Sequence, residues 1–119
     1  MRQLADHQEN GLNENIVITV LDPPGPGGGN HEYAIELPAA GIILPIKFQK
    51  GPINEGMNGV SNEALLAIVI DRLRGFQSCK KFSNRETALA LTKLQEGMHW
   101  LHERTRERKA RGVEGTMTP

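Results

Sequence analysis

The sequence predicts an α+β protein, with a short N-terminal antiparallel β-sheet followed by a long antiparallel helical hairpin, assembled as an oligomer. Two patterns and one limit carry that expectation. Alternating and β-branched apolar runs lie within the first fifty residues, whereas beyond residue 61 the apolar positions recur at helical spacing. The chain has only 119 residues, 4% of them aromatic, so its own core is modest and burial between subunits is expected to add to it.

Three segments read as strands. Ile16 to Leu21 (IVITVL) is a β-branched run, and His31 to Leu37 (HEYAIEL) alternates, with Tyr33, Ile35 and Leu37 on one side. Gly41 to Phe48 (GIILPIKF) is extended, and Pro45, which has no N–H, makes it an edge strand or a broken one. Asp22 to Asn30 (DPPGPGGGN) is too rich in Pro and Gly for helix or strand and is expected to be a mobile loop. A phosphate cradle needs a helix directly after its glycines, and another extended segment follows here. Residues 1–15 read as an N-terminal extension. They lack the apolar core of a signal peptide, and no run approaches the ~20 apolar residues of a membrane span, so a cytosolic location is expected.

After the turn-rich connector QKGPINEGMNGV, Ser61 can cap a helix with Glu63 in its first turn. Leu65, Leu66, Val69, Leu73 and Phe76 then make Asn62 to about Gln77 amphipathic. A second helix begins with a capping box, Ser83 with Glu86. Leu91, Leu94, Met98 and Leu101 form its stripe, in the 3-4-3 spacing of helices packed nearly antiparallel. It runs from Asn84 to about Ala110, roughly 40 Å at 1.5 Å per residue, and Gly112 stops it. The short linker Ser78 to Phe82 folds the two into a hairpin. The whole is one domain, with residues 1–15 an extension, 16–50 β-rich, 61–111 the hairpin and 112–119 a tail.

Net charge is zero but unevenly spread. Met1 to Leu37 carries one cation against six acids, and Arg72 to Arg111 eleven cations against four acids. This asymmetry points to an anionic ligand or an acidic neighbour at the second half. Within it, Arg104, Arg106, Arg108, Lys109 and Arg111 crowd into eight residues. Arg104 and Arg108 stand three and seven residues beyond Leu101, so they continue the rim of the buried stripe while Arg106 points elsewhere. A guanidinium there suits bidentate phosphate contact and base stacking. The plainer alternative is that these cations complement the helix dipole, with Glu103 and Glu107 as local partners.

Other candidates have similarly plain alternatives. Phe76 is either core or a stacking platform. Asn58, Val60, Ser61 and Asn62 offer amides and free N–H groups at a helix start, which is an anion site or simple turn and cap chemistry. His99 and His102 are three apart without a third ligand, so no metal is expected. A single Cys79 gives no disulfide, fits a reducing compartment and has no base beside it. No nucleophile is paired with a base and no two acids face a cleft, so an enzyme is not expected. A small basic hairpin that binds nucleic acid or serves as a regulator stays open, as does a purely structural oligomer.

Two strings carry a resemblance: NEALLAIVIDRLRGFQS (residues 62–78) and RETALALTKLQEGMHWLHERTRERKARGVEGT (residues 85–116). Together they resemble the helical-hairpin domain shared by phage anti-Thoeris and anti-CBASS sponge proteins, and the upstream HEYAIEL and IKFQKGPINEGMNGV look like the anti-Thoeris branch. The resemblance implies dimers or larger rings, commonly hexamers, that sequester cyclic nucleotide immune signals in the cytoplasm of the infected bacterial host without catalysis or cofactor. The implied ligands are cyclic ADP-ribose isomers made by TIR-domain enzymes, with cyclic di- and trinucleotides such as cGAMP in separate pockets. It also implies Phe76 as the stacking aromatic and Arg104 and Arg108 as the two arginines. Thr87 stands where the family carries Asn, and the turn CKKFSN is one residue longer than the usual one. The residue types suit such a ligand: guanidinium groups take the pyrophosphate and Phe76 the adenine, with stacking worth ~1–3 kcal/mol. Burial between protomers strengthens each charged contact.

Overall fold

A computed structural model describes all residues, 1–119. The chain forms two compact units, residues 1–50 with 56–60, and residues 51–55 with 61–119.

The first unit is a four-stranded antiparallel sheet, β1 (Arg2–Leu4), β2 (Val17–Val20), β3 (Glu32–Leu37) and β4 (Ile42–Lys47), in that spatial order. β1 lies in the segment expected to be an extension; three residues are too few to show a period, yet Arg2, Gln3 and Leu4 pair with Val20, Thr19 and Ile18. β4 is an edge, and its Pro45 sits opposite Ala34, where a missing N–H is tolerated. Val20 and Ala34 are buried, and Tyr33 packs edge-on against Phe48 at 5.7 Å.

The Pro- and Gly-rich segment between β2 and β3, expected to be a loop, forms neither helix nor strand and is laced by hydrogen bonds. The Asp22 carboxylate accepts from the N–H groups of His31 and Glu32 at 3.0–3.1 Å. Asn30 Nδ2 donates to the Asp22 carbonyl at 2.7 Å, and the Gly25 N–H reaches the Gly29 carbonyl at 2.8 Å. Composition had shown only that no helix or strand forms there, not that polar groups at both ends would close it.

After β4, Phe48 and Val60 form a parallel bridge. Asn58 ties the intervening loop: its Oδ1 accepts from the Lys50 N–H at 2.8 Å, and its Nδ2 donates to the Lys50 carbonyl at 2.7 Å. The two segments approach so closely that a Cβ on Gly59 would fall 2.3 Å from the Phe48 carbonyl carbon.

In the second unit α1 (Asn62–Gln77) and α2 (Arg85–Ala110) pack as a hairpin. Ser61 caps α1, accepting from the Ala64 N–H at 3.0 Å. The capping residue of α2 is Asn84, not Ser83: Asn84 Oδ1 accepts from the Thr87 N–H at 2.7 Å. Ser83 is drawn into the preceding turn, where its N–H meets the Cys79 carbonyl at 2.9 Å. Leu91, Leu94, Met98 and Leu101 are half-buried as a stripe, but Ile70 is the one α1 residue fully buried, while Val69 and Phe76, expected on the buried face, are exposed. Gly112, in the left-handed region (φ 74°), ends α2. The residues after it, expected to be a plain tail, turn back over the helix end.

A candidate ligand site on the helical hairpin

The five cations at the end of α2 have different fates. Arg106 pairs with Glu103 and Arg111 with Glu107. These exposed pairs along one helix add little stability, but they neutralise two of the five charges. Arg104 and Lys109 are exposed and have no partner. Arg108 is the opposite case, with only 7% of its surface exposed. Its Nε donates to Glu114 at 3.1 Å, its Nη1 to the Thr118 carbonyl at 2.7 Å, and its Nη2 to the carbonyls of Val113 and Thr116 at 3.0 and 3.2 Å. The chain can close this ring of acceptors because Gly112 and Gly115 take positive φ (74° and 79°), a region L side chains avoid. Four of the guanidinium's five N–H groups are thereby used. Within the chain Arg104 is a free cation and Arg108 is a buried clamp on the C-terminal turn.

Phe76 and Thr87 flank the turn at the other end of the hairpin. Phe76 is 40% exposed. The Arg72 guanidinium lies over its ring at 5.0 Å, and Phe82 meets it edge-on at 6.5 Å. The Thr87 hydroxyl has no partner, only its N–H being held by Asn84. Neither Arg72 nor Phe82 was among the expected site residues. Arg72 stands four residues before Phe76, the spacing at which helical side chains meet, and that was the signal. Phe82 carried none, because a single aromatic in a turn has no period. Thr87 and Arg104 are seventeen residues apart on one unbroken helix, hence about 26 Å at 1.5 Å per residue. A single chain therefore does not bring Phe76 and Thr87 together with Arg104.

The segment expected as a second pocket is largely occupied internally. Asn58 closes the loop after β4, the Val60 N–H donates to the Lys47 carbonyl at 2.8 Å, and Ser61 caps α1. Asn62 has no side-chain partner. His99 rests edge-on against Trp100 at 5.3 Å, and no three His, Cys, Asp or Glu side chains cluster to hold a metal. No helix is long and apolar enough to cross a membrane.

Residues 42–106 match the family described as Acb2/Tad1, hairpin domain. The chain belongs to that family. It is also similar to Thoeris anti-defense 1 of Bacillus phage SBSphiJ7, with 50% identity over 90 residues, 75% of this chain and 63% of the relative. The chain thus matches somewhat less than two thirds of that protein's length. The Acb2/Tad1 match runs through β4, the connector, α1 and most of α2, so it takes in Phe76, Thr87 and Arg104 and stops two residues short of Arg108.

Proposed function

We propose that this protein is a phage anti-defence sponge that sequesters cyclic ADP-ribose isomers made by TIR-domain enzymes in the infected host, without cleaving them, and so blocks Thoeris immunity. Membership of the Acb2/Tad1 family and the name of the phage relative support the biological role. The observation that carries the mechanism is the roughly 26 Å between Thr87 and Arg104 along α2. A ligand far shorter than that is held by both ends only where two protomers lie antiparallel, one supplying Phe76 and Thr87 and the other Arg104.

In this arrangement Arg104 takes the pyrophosphate as a planar fork, its donors being uncommitted in the protomer. Arg108 contributes its remaining N–H and fixes the turn beside it. Phe76 stacks the adenine, and the Thr87 hydroxyl is a free donor and acceptor at the same end. Exclusion of water between subunits raises the worth of each charged contact. Sequestration needs no cofactor and no acid, base or nucleophile. A cyclic di- or trinucleotide such as cGAMP, and with it a role against CBASS, would draw on the start of α1, where the Asn62 and Glu63 N–H groups and the Asn62 amide stay uncommitted beside the Ser61 cap.

Calorimetric titration of the protein with a purified cyclic ADP-ribose isomer, at low and at several-fold higher salt, tests the reading. A buried ligand with two phosphates gives tight binding with a shallow salt slope. Failure to bind the isomer, together with binding of a polynucleotide that weakens by orders of magnitude as salt rises, would replace it with a nucleic-acid function. The ion pairs at Arg106 and Arg111 and the burial of Arg108 already thin the basic patch such a function would use.

A further inference from the structure

We propose that Phe82 and Arg72 complete a nucleobase-binding corner at the turn of the hairpin, with Phe76 as its other wall, and that this corner selects a planar heteroaromatic ring with phosphate close by. The inference rests on the reading that the hairpin binds a nucleotide. Phe76 closes α1 and Phe82 stands in the connection to α2. Their planes meet at 70°, so the rings form two sides of an open angle instead of a stacked pair. Both are exposed, Phe82 by 55%, and with Arg72, Gly75 and Cys79 they line a shallow, open depression of about 390 Å³, one wall of a site that a second copy would cover. A Cβ at Gly75 would meet nothing within 4 Å, so the depression is open there too.

The charges around this corner identify its occupant. Arg72 backs Phe76 at 5.0 Å, and the Lys81 ammonium lies 5.6 Å from the Phe82 ring centre. Neither forms an ion pair with a carboxylate, so the corner is apolar on its walls and uncompensated positive at its rim. An apolar ligand would leave the cations unused, and a bare phosphate would leave the rings unused. A nucleotide uses both: its base stacks on Phe76 and turns an edge toward Phe82, while the pyrophosphate gripped by Arg104 of the second copy has Arg72 and Lys81 as further positive charges on its other side. Phe82 is in the turn CKKFSN, so the corner's shape is set by this chain's own connection between the helices.

Full-length wild type, Phe82→Leu, Phe82→Tyr and Arg72→Gln are titrated with one purified TIR-made cyclic ADP-ribose isomer, with melting temperatures measured in parallel. The expected result is a loss of about tenfold for Phe82→Leu, which keeps apolar bulk but no π face, against a change within about twofold for Phe82→Tyr. Arg72→Gln, which leaves the ring uncovered and removes the charge, loses several-fold. If wild type binds the isomer and Phe82→Leu binds it equally well, or if Leu and Tyr lose affinity alike, the corner is overturned while the sponge reading stands. A wild type that binds no isomer overturns both.

Discussion

Arg104 and Arg108 carry the same charge four residues apart, and their surroundings give them different tasks. Arg104 has no partner, so Arg104→Ala should leave thermal stability unchanged and lower ligand affinity by about 1.5–3 kcal/mol, the range for hydrogen bonds to charged groups. Arg104→Lys should also bind poorly, because an ammonium keeps the charge without the planar fork. Arg106, paired with Glu103, should tolerate alanine in both assays, and equal losses at Arg104 and Arg106 in calorimetry would mean that overall charge draws the ligand. Arg108→Ala strips the donors from three carbonyls and from Glu114. It should lower stability by about 2–4 kcal/mol, read as a drop in melting temperature; an unchanged melting temperature would contradict the clamp. Helical spacing put both arginines on the rim of the stripe. It could not separate them, since the difference depends on a non-periodic turn set by Gly112 and Gly115.

At the level of elements, the bounds of α1 were legible because a cap and an apolar period agree there. The start of α2 was displaced by one residue because Ser83 and Asn84 are both good caps and the turn's own hydrogen bonds choose between them. The sheet holds two tests. Burial would raise the Asp22 carboxyl, but hydrogen bonds from the N–H groups of Glu32 and His31, its own backbone and the nearby His31 ring outweigh it and hold the group below its ordinary 3.8. A lowered folded value contributes stability that is complete above the ordinary value and is lost as pH falls through the folded one. The melting temperature should therefore fall as pH drops below about 4, and Asp22→Ala should melt lower at neutral pH with a shallower acid limb; an identical acid limb would assign that loss to other carboxylates. At the bridge between Phe48 and Val60, Gly59→Ala sets a Cβ against the peptide group that joins Phe48 to Gln49. It should cost about 1–3 kcal/mol by overpacking, and a melting temperature equal to wild type would show that the close approach relaxes freely.

For the molecule as a whole, one protomer leaves much apolar surface uncovered. Val20, Ala34 and Ile70 are its only buried apolar residues, while Ile43, Ile68, Phe82 and Trp100 remain more than half exposed. Small domains with so little core commonly gain the rest from partners, so light scattering should give at least twice the 13.1 kDa of one chain. The proposed pocket, shared between antiparallel copies, makes a sharper forecast. In a two-fold dimer each pocket takes Phe76 from one copy and Arg104 from the other. Co-expressed Phe76→Ala and Arg104→Ala chains form mixed dimers about half the time, each with one intact pocket, so about a quarter of wild-type capacity should return. No recovery would mean that each protomer binds alone. The sequence pointed to subunit association through its small core, and the length of α2 read from it already separates Thr87 from Arg104; it could not show that Arg108 is taken up by the turn after Gly112.

Sequestration without cleavage is tested most directly by recovering what was bound. The protein is incubated with the products of a TIR-domain enzyme acting on NAD, freed of unbound nucleotide, denatured by heat, and the released molecule is weighed by mass spectrometry. A sponge returns the cyclic ADP-ribose isomer unchanged, at up to one molecule per shared pocket, and wild type returns far more than Arg104→Ala. Recovery of a cleaved product, or of no nucleotide at all, would contradict the account.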